Sequence, residues 1–172
     1  CHRAGASCAV AALGTAVTRE HAQLAARFAK EAVLLFDGDA AGQSACKKAM
    51  PHIFASGLRA LVSPLPSTQD PDSFLKTHGP QALADLISRA VPAIEHFIAT
   101  GVSPDMTIEQ RAQAAQALAP LVFAMPSGLE RDLYSARLAE RLGITTEKLV
   151  ALSRQKSAPR RSSQQEPRPS PQ

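Results

Sequence analysis

Ala32-Val33-Leu34-Leu35-Phe36-Asp37-Gly38-Asp39 decides the reading of this chain. Five apolar residues in a row have the length of a strand, and a run without polar alternation suits a parallel strand covered on both faces. The run stops at Asp37-Gly38-Asp39, and residues 40–50 resume in helix-forming types, with Asp39 placed to cap their first turn. The expectation is a strand–loop–helix unit. Pro51 should end or kink the helix, and Gly57 offers a later stop.

Working outward, Leu58 to Val62 reads as a second short strand closed by Pro64 and Pro66. A polar loop leads to Asp70-Pro71-Asp72, where Asp72 can cap a short helix holding Phe74 and Leu75. Upstream, Cys8-Ala9-Val10-Ala11-Ala12 reads as a buried strand, followed by a Leu13-Gly14-Thr15 loop. Thr18 should cap a helix ending near Lys30, with Leu24, Ala25 and Phe28 on its inner face. Strands alternating with helices imply a mostly parallel α/β sheet over residues 1–79.

Beyond Gly79 the pattern is helical only. Residues 80–100 carry Leu83, Leu86, Ile87, Val91, Ile94, Phe97 and Ile98 at helical spacing, with Pro92 as a bend. Thr107-Ile108-Glu109-Gln110 and Ser127-Gly128-Leu129-Glu130 read as capping boxes, and Thr145 or Thr146 starts a last helix after Gly143. Residues 80–155 are therefore expected to form an all-α helical bundle. From residue 156 to 172 the chain is rich in Ser, Pro, Gln and Arg, the composition of a disordered linker or tail.

Charge adds little. The net +4 falls to +1 for residues 1–155, because residues 156–172 carry Lys156, Arg160, Arg161 and Arg168 against Glu166, a surplus of +3. The folded part thus shows no basic footprint of its own. Aromatics make up only 4% of the chain, with no Trp, too few for a base-stacking platform. Three cysteines make no disulfide framework, and no stretch reaches the roughly 18 apolar residues of a membrane span. A cytoplasmic protein is the expectation. The spacing of Cys1, His2 and Cys8 fits no common zinc pattern. Cys46 reads as a buried small apolar residue, and Lys47 and Lys48 as a solvated helix face.

The chemistry lies in the acidic pairs. Asp37 and Asp39 follow one expected strand, and Asp70 and Asp72 follow the next. Loops after neighbouring parallel strands share one sheet edge, where ligands of open α/β sheets bind. Carboxylates so close repel, and a divalent cation relieves the repulsion; oxygen-only donors favour Mg²⁺ or Mn²⁺ over zinc. The bland alternative is that Asp39 and Asp72 are helix caps and Asp70 a turn residue. An EF-hand is excluded, since counting from Asp37 puts Lys48 where a bidentate Glu is required.

Ala12-Leu13-Gly14-Thr15-Ala16, Phe36-Asp37-Gly38-Asp39-Ala40-Ala41-Gly42, Leu65-Pro66 and Asp70-Pro71-Asp72-Ser73-Phe74-Leu75 stand in the order and approximate spacing of the DnaG-type bacterial primases. Over residues 3–79 the chain resembles the second half of that family's Toprim metal-binding core, and residues 80–155 resemble the helical subdomain that follows it. The resemblance implies a DNA primase that joins ribonucleoside triphosphates into RNA primers on a single-stranded DNA template. Asp37 and Asp39 match its catalytic metal ligands, and Asp70 and Asp72 its later acidic pair. It further implies Mg²⁺ or Mn²⁺, a monomer at the replisome, and contact with the replicative helicase through a domain not contained in this chain. The chain departs from the family at Ala12, where the SLGT block begins with Ser, and near Thr68, where a Gly is expected. It starts at Cys1, so the Toprim glutamate, zinc domain and basic subdomain are expected upstream, and the piece alone is expected to be inactive. Rival readings are another Toprim enzyme (a topoisomerase or nuclease), a phosphohexomutase loop, and a non-catalytic replication scaffold binding through its bundle. Ala41 and Gly42 stand where the phosphohexomutase motif wants Asp and Arg.

Overall fold

A computed structural model of the chain describes residue 1, residues 5–12 and residues 16–157. The elements run α1 (Arg19–Ala25), β1 (Glu31–Leu34), α2 (Ala40–Ala55), β2 (Arg59–Val62), α3 (Pro71–Ser88), β3 (Val91–Pro92), α4 (Ala93–Gly101), α5 (Ile108–Phe123), α6 (Leu129–Leu142) and α7 (Thr146–Ser157). An α/β unit thus leads into a helical region, as expected, except that the short strand β3 interrupts it. Among the described residues no helix is long and apolar enough to cross a membrane. The 13–15 loop and the tail beyond Ser157 lie outside the described residues.

The sheet has the order β1-β2-β3. β1 and β2 are parallel, with Glu31 opposite Arg59 and Leu34 opposite Val62. The helix α2 makes the crossover between them, as a parallel pair requires. β3 is antiparallel to β2, with Val62 opposite Val91. This short strand was not expected, because two residues carry no period; pairing with β2 creates it. It splits the helix expected over residues 80–100 into the end of α3 and the whole of α4. Within α3 the backbone breaks at Gly79, whose φ of 81° is left-handed, just before Pro80.

Three other expectations fail for identifiable reasons. Cys8 to Ala12 is not a strand, and Val10 is 90% exposed. An apolar run becomes a strand only where a neighbour takes up its N–H and C=O groups, and no described strand pairs with it. β1 is not covered on both faces: Glu31 and Val33 are exposed while Leu34 is buried, and the strand closes at Leu34 rather than Phe36. As the sheet's edge among the described strands, β1 alternates. Helix α1 starts at Thr18, whose side chain accepts from the His21 N–H, but ends at Ala25. Its buried residue is Ala22, and Phe28 is 83% exposed.

Pro51 sits inside α2 without ending it. The helix stops at Ser56, before Gly57 with its φ of 82°. Thr107 forms the expected capping box with Gln110, and the Thr145 hydroxyl accepts from the Lys148 N–H. Ser127 does not cap α6, because Gly128 takes the N-cap position and contributes no side-chain bond.

One apolar core joins both regions. Cys46, Met50, Ile53 and Phe54 of α2 pack with Ala60 and Val62 of β2, Phe97 and Ile98 of α4, Leu118 and Val122 of α5, Leu138 of α6 and Leu149 of α7. A second cluster of Leu65, Phe74 and Leu83 lies under the loop after β2, with Leu35 against it. Ser63, fully buried between them, is satisfied: its N–H donates to the Leu34 carbonyl at 3.1 Å and its hydroxyl to the Leu86 carbonyl at 2.8 Å.

Candidate functional site

The Asp37-Gly38-Asp39 turn follows β1 after Leu35 and Phe36, and Asp70-Pro71-Asp72 opens α3 after β2. Because the two strands are parallel neighbours, both turns emerge at one edge. They also touch: the Gly38 N–H donates to the Gln69 carbonyl at 3.0 Å. Gly38 is the residue that permits this approach. A Cβ there would stand 1.9 Å from the Pro66 carbonyl oxygen and 2.8 Å from that of Leu65. Gly42 does the same inside the first turn, where a Cβ would lie 2.1 Å from the Asp37 carbonyl oxygen. Backbone thus packs on backbone, and the two acidic segments are held in one place.

Each pair begins a helix. The Asp39 carboxylate accepts from the Gly42 N–H at 2.7 Å as the N-cap of α2. Asp70, not Asp72, is the N-cap of α3; its Oδ1 accepts from the Asp72 and Ser73 N–H groups, both at 2.8 Å, and the Ser73 hydroxyl closes a capping box on the Asp70 N–H at 2.9 Å. The reason is positional: Pro71 fits the first helical turn, where its missing N–H costs nothing, so the cap falls on the residue before it. These bonds, that from Ser73 first, hold the Asp70 carboxyl below the usual carboxylate range. Asp72 pairs with Lys76 one turn on at 2.6 Å.

All four aspartates are exposed. Their backbones converge, yet among the described residues no three His, Cys, Asp or Glu side chains are grouped closely enough to hold a metal ion. Asp39 and Asp70 turn toward their own helices and Asp72 toward Lys76. In donor type the set suits a hard divalent cation, with carboxylates and no thiol or imidazole in either acidic triplet. Each cap engages only Oδ1, so a second oxygen remains on Asp39 and on Asp70.

The other candidates are structural. Cys46 is buried, and desolvation pushes its thiol up to about 12, far from a reactive thiolate. Lys47 is half-buried and lies 5.0 Å over the Phe97 ring, while Lys48 stays exposed. Cys8 is exposed. Reading the sequence missed Gly38 and Gln69 as the contact that joins the two turns, and Gly42 as the close approach that tightens the first. A glycine between two aspartates and another four residues later were the available signal.

With this geometry in place, comparison with known proteins is informative. A Toprim-like family model matches residues 1–75, and a model described as the DnaB-helicase binding domain of primase matches residues 103–147. The latter falls inside the helical region of this chain. A DNA primase of Myxococcus xanthus is 34% identical over 146 residues, spanning 83% of this chain and 24% of that protein. A DNA primase of Chlamydia trachomatis is 45% identical over 86 residues, spanning 49% of this chain and 14% of that protein. Among solved structures, the zinc-binding and RNA polymerase domains of the Aquifex aeolicus primase superpose with a TM-score of 0.67 at 28% identity, covering 81% of this chain and 33% of that one. A DNA primase domain from Pseudomonas aeruginosa gives 0.66 at 32% identity, covering 83% of this chain and 46% of that one. A DnaG primase catalytic domain bound to single-stranded DNA gives 0.66 at 28% identity, covering 86% of this chain and 48% of that one. This chain spans about a quarter of the M. xanthus primase. In sequence and in fold, it belongs to the bacterial DnaG-type primases.

Proposed function

We propose that this chain is part of the catalytic core of a DNA primase, which joins ribonucleoside triphosphates into short RNA primers on single-stranded DNA during replication. Residues 1–79 supply the second half of the Toprim core, residues 80–155 the helical subdomain, and residues 156–172 a linker. The carrying observation is the bond between the two acidic turns, Gly38 N–H to Gln69 carbonyl at 3.0 Å, at the end of a parallel strand pair. That arrangement supports Asp37 and Asp39 as the catalytic carboxylates, with Asp70 and Asp72 beside them, holding Mg²⁺ or Mn²⁺. A divalent cation held there supplies neutralisation of charge at the reacting phosphate and a more acidic primer hydroxyl.

The chain's own residues do the rest. The α2 and α3 N-termini present partial positive charge at the same edge, which favours a polyanionic substrate. Gly38 keeps the two carboxylate pairs within one patch. Such catalysis is mostly positioning and charge stabilisation, so a pre-set pair of loops is the main contribution a scaffold can make. The match over residues 103–147 supports a second part of the proposal: the replicative helicase docks on the helical subdomain. A monomer at the cytoplasmic replisome completes the reading.

Manganese titration followed by electron paramagnetic resonance tests the site. Asp37→Ala and Asp70→Ala should each lower Mn²⁺ affinity by at least fivefold. A non-catalytic scaffold would be indifferent to both, and that result would remove the metal reading. Primer synthesis on single-stranded DNA, measured with the whole primase carrying the same changes, should fall in parallel.

A further inference from the structure

We propose that Gln69 is a positioning residue of the acidic patch, whose side-chain amide oxygen accepts a hydrogen bond from a water carried by the divalent cation. This rests on the metal reading above and adds to it a residue that is uncharged and outside both acidic triplets. Among the described residues, two side-chain polar atoms are buried without a hydrogen-bond partner, Gln69 Oε1 and Arg131 Nε. For Arg131 there is partial relief, since its guanidinium lies 6.0 Å over the Phe123 ring and Asp132 Oδ1 stands 3.8 Å from the same nitrogen. Gln69 Oε1 has no such relief, and it belongs to the residue that joins the two acidic turns.

An acceptor taken out of water and given no donor costs the full loss of its hydration. Native structures pair such groups, and an exception calls for a ligand or water that completes it. The Gln69 backbone is clamped on both sides: its N–H donates to the Pro66 carbonyl at 3.0 Å, and its carbonyl accepts from the Gly38 N–H at 3.0 Å. The side chain therefore leaves the main chain from a fixed point between the two turns. Donors of the two turns are committed elsewhere. The Asp70 N–H goes to the Ser73 hydroxyl, the Asp72 and Ser73 N–H groups to Asp70 Oδ1, and the Gly42 N–H to Asp39. The four aspartates, when ionised, only accept, so they deepen the shortage. What this junction lacks is a donor. The hard cation that suits the carboxylates brings donors with it, because Mg²⁺ keeps several of its waters when a protein binds it through a few oxygens.

The test is Mn²⁺ titration of the 172-residue chain by electron paramagnetic resonance, run beside urea unfolding. Gln69→Leu fills similar space and removes the acceptor. It should weaken Mn²⁺ binding by roughly threefold or more while the urea midpoint holds or rises, because a buried group without a partner has gone. Gln69→Glu keeps an acceptor and should bind Mn²⁺ at least as tightly as the unaltered chain. In the whole primase, Gln69→Leu should raise the Mg²⁺ concentration for half-maximal primer synthesis by a similar factor, with kcat at saturating Mg²⁺ nearly unchanged. Should the branched leucine misfit and melt early, Gln69→Met, unbranched like glutamine, carries the same prediction. Unaltered Mn²⁺ affinity in the folded Leu or Met variant would overturn the role of Gln69 and leave the metal reading intact. Absence of Mn²⁺ binding by the unaltered chain would overturn the metal reading and this inference with it. Early melting of the Met and Glu variants alike would show an amide turned end for end and donating to a neighbouring carbonyl, a structural role, and the proposal would be wrong.

Discussion

Replacing Gly38 with Ala tests the geometry on which the candidate site depends. The new Cβ would lie 1.9 Å from the Pro66 carbonyl oxygen, where ordinary contact begins at 3.4 Å, so the two turns must part by 3.4 − 1.9 = 1.5 Å. The obstacle is backbone, so no rotamer change relieves it. A shift of that size breaks the 3.0 Å bond from Gly38 to Gln69, which contributes about 1 kcal/mol. Overpacking adds about 1–3 kcal/mol. Restricting the unfolded chain returns roughly 0.5–1 kcal/mol. The net is a loss of about 1–3.5 kcal/mol, or roughly 2–14 °C in melting temperature for a chain of this size. Gly101→Ala is the control. There a Cβ meets only the end of the Leu118 side chain, at 3.2 Å, and Ala favours helix, so stability should stay within about 0.5 kcal/mol of wild type or rise. Urea unfolding followed by circular dichroism measures both. If Gly38→Ala unfolds at the wild-type midpoint, the turns are not locked together, and the argument for one acidic patch fails with them.

Two further perturbations separate capping from ligation. Asp39→Asn keeps an acceptor for the Gly42 N–H and should hold stability within about 0.5 kcal/mol, whereas Asp39→Ala should cost about 1 kcal/mol in the same urea experiment; if both lower Mn²⁺ affinity alike, Asp39 is a ligand as well as a cap, and if only the Ala variant does, it is a cap alone. Asp70 gives a pH test: its carboxyl titrates below its ordinary value in the folded chain, so its contribution is fully present above the unfolded pKa near 3.8 and is lost as pH falls through the lower folded value. Asp70→Asn should therefore flatten the urea midpoint's dependence on pH below about 4, and an unchanged slope would count against the cap.

The parts of this fold that could be read in advance are those set by nearest neighbours. Thr18, Asp39 and Thr107 each start a helix because the acceptor and the N–H it takes are three residues apart in the chain. Leu58 to Val62 ends in a strand because it is a short, mostly apolar run closed by Pro64, too short for a helix. What could not be read depends on who sits beside a segment. The Val10 run has β composition and no described neighbour, so it stays irregular. Val91 and Pro92 have helical periodicity around them and a strand beside them, and the strand wins. At residues 127–130 the letters of a capping box are present, but Gly128 takes the N-cap position with no side chain to serve it. The candidate site divides in the same way. Its four aspartates could be picked from spacing, but their rotamers and the backbone contact through Gly38 belong to the folded chain.

The conflict between cap and ligand at Asp39 and Asp70 is smaller than it first looks. A carboxylate has two oxygens and about four lone-pair directions, and each cap here engages Oδ1 alone. Capping also does something that ligation needs. It fixes the Cβ–Cγ direction of an aspartate that would otherwise sample several rotamers, and at Asp70 the hydrogen bonds to the charged form also hold the carboxyl below its usual range. A cation arriving at this edge would meet two carboxylates already ordered by their helices, with Asp37 and Asp72 left to move. Asp72 is held by the exposed pair with Lys76, which contributes well under 1 kcal/mol. The ungrouped side chains and the convergent backbones are therefore compatible. The backbone supplies the slow, expensive part of a metal site, the juxtaposition of two loops, and leaves to the ion only a small side-chain rearrangement.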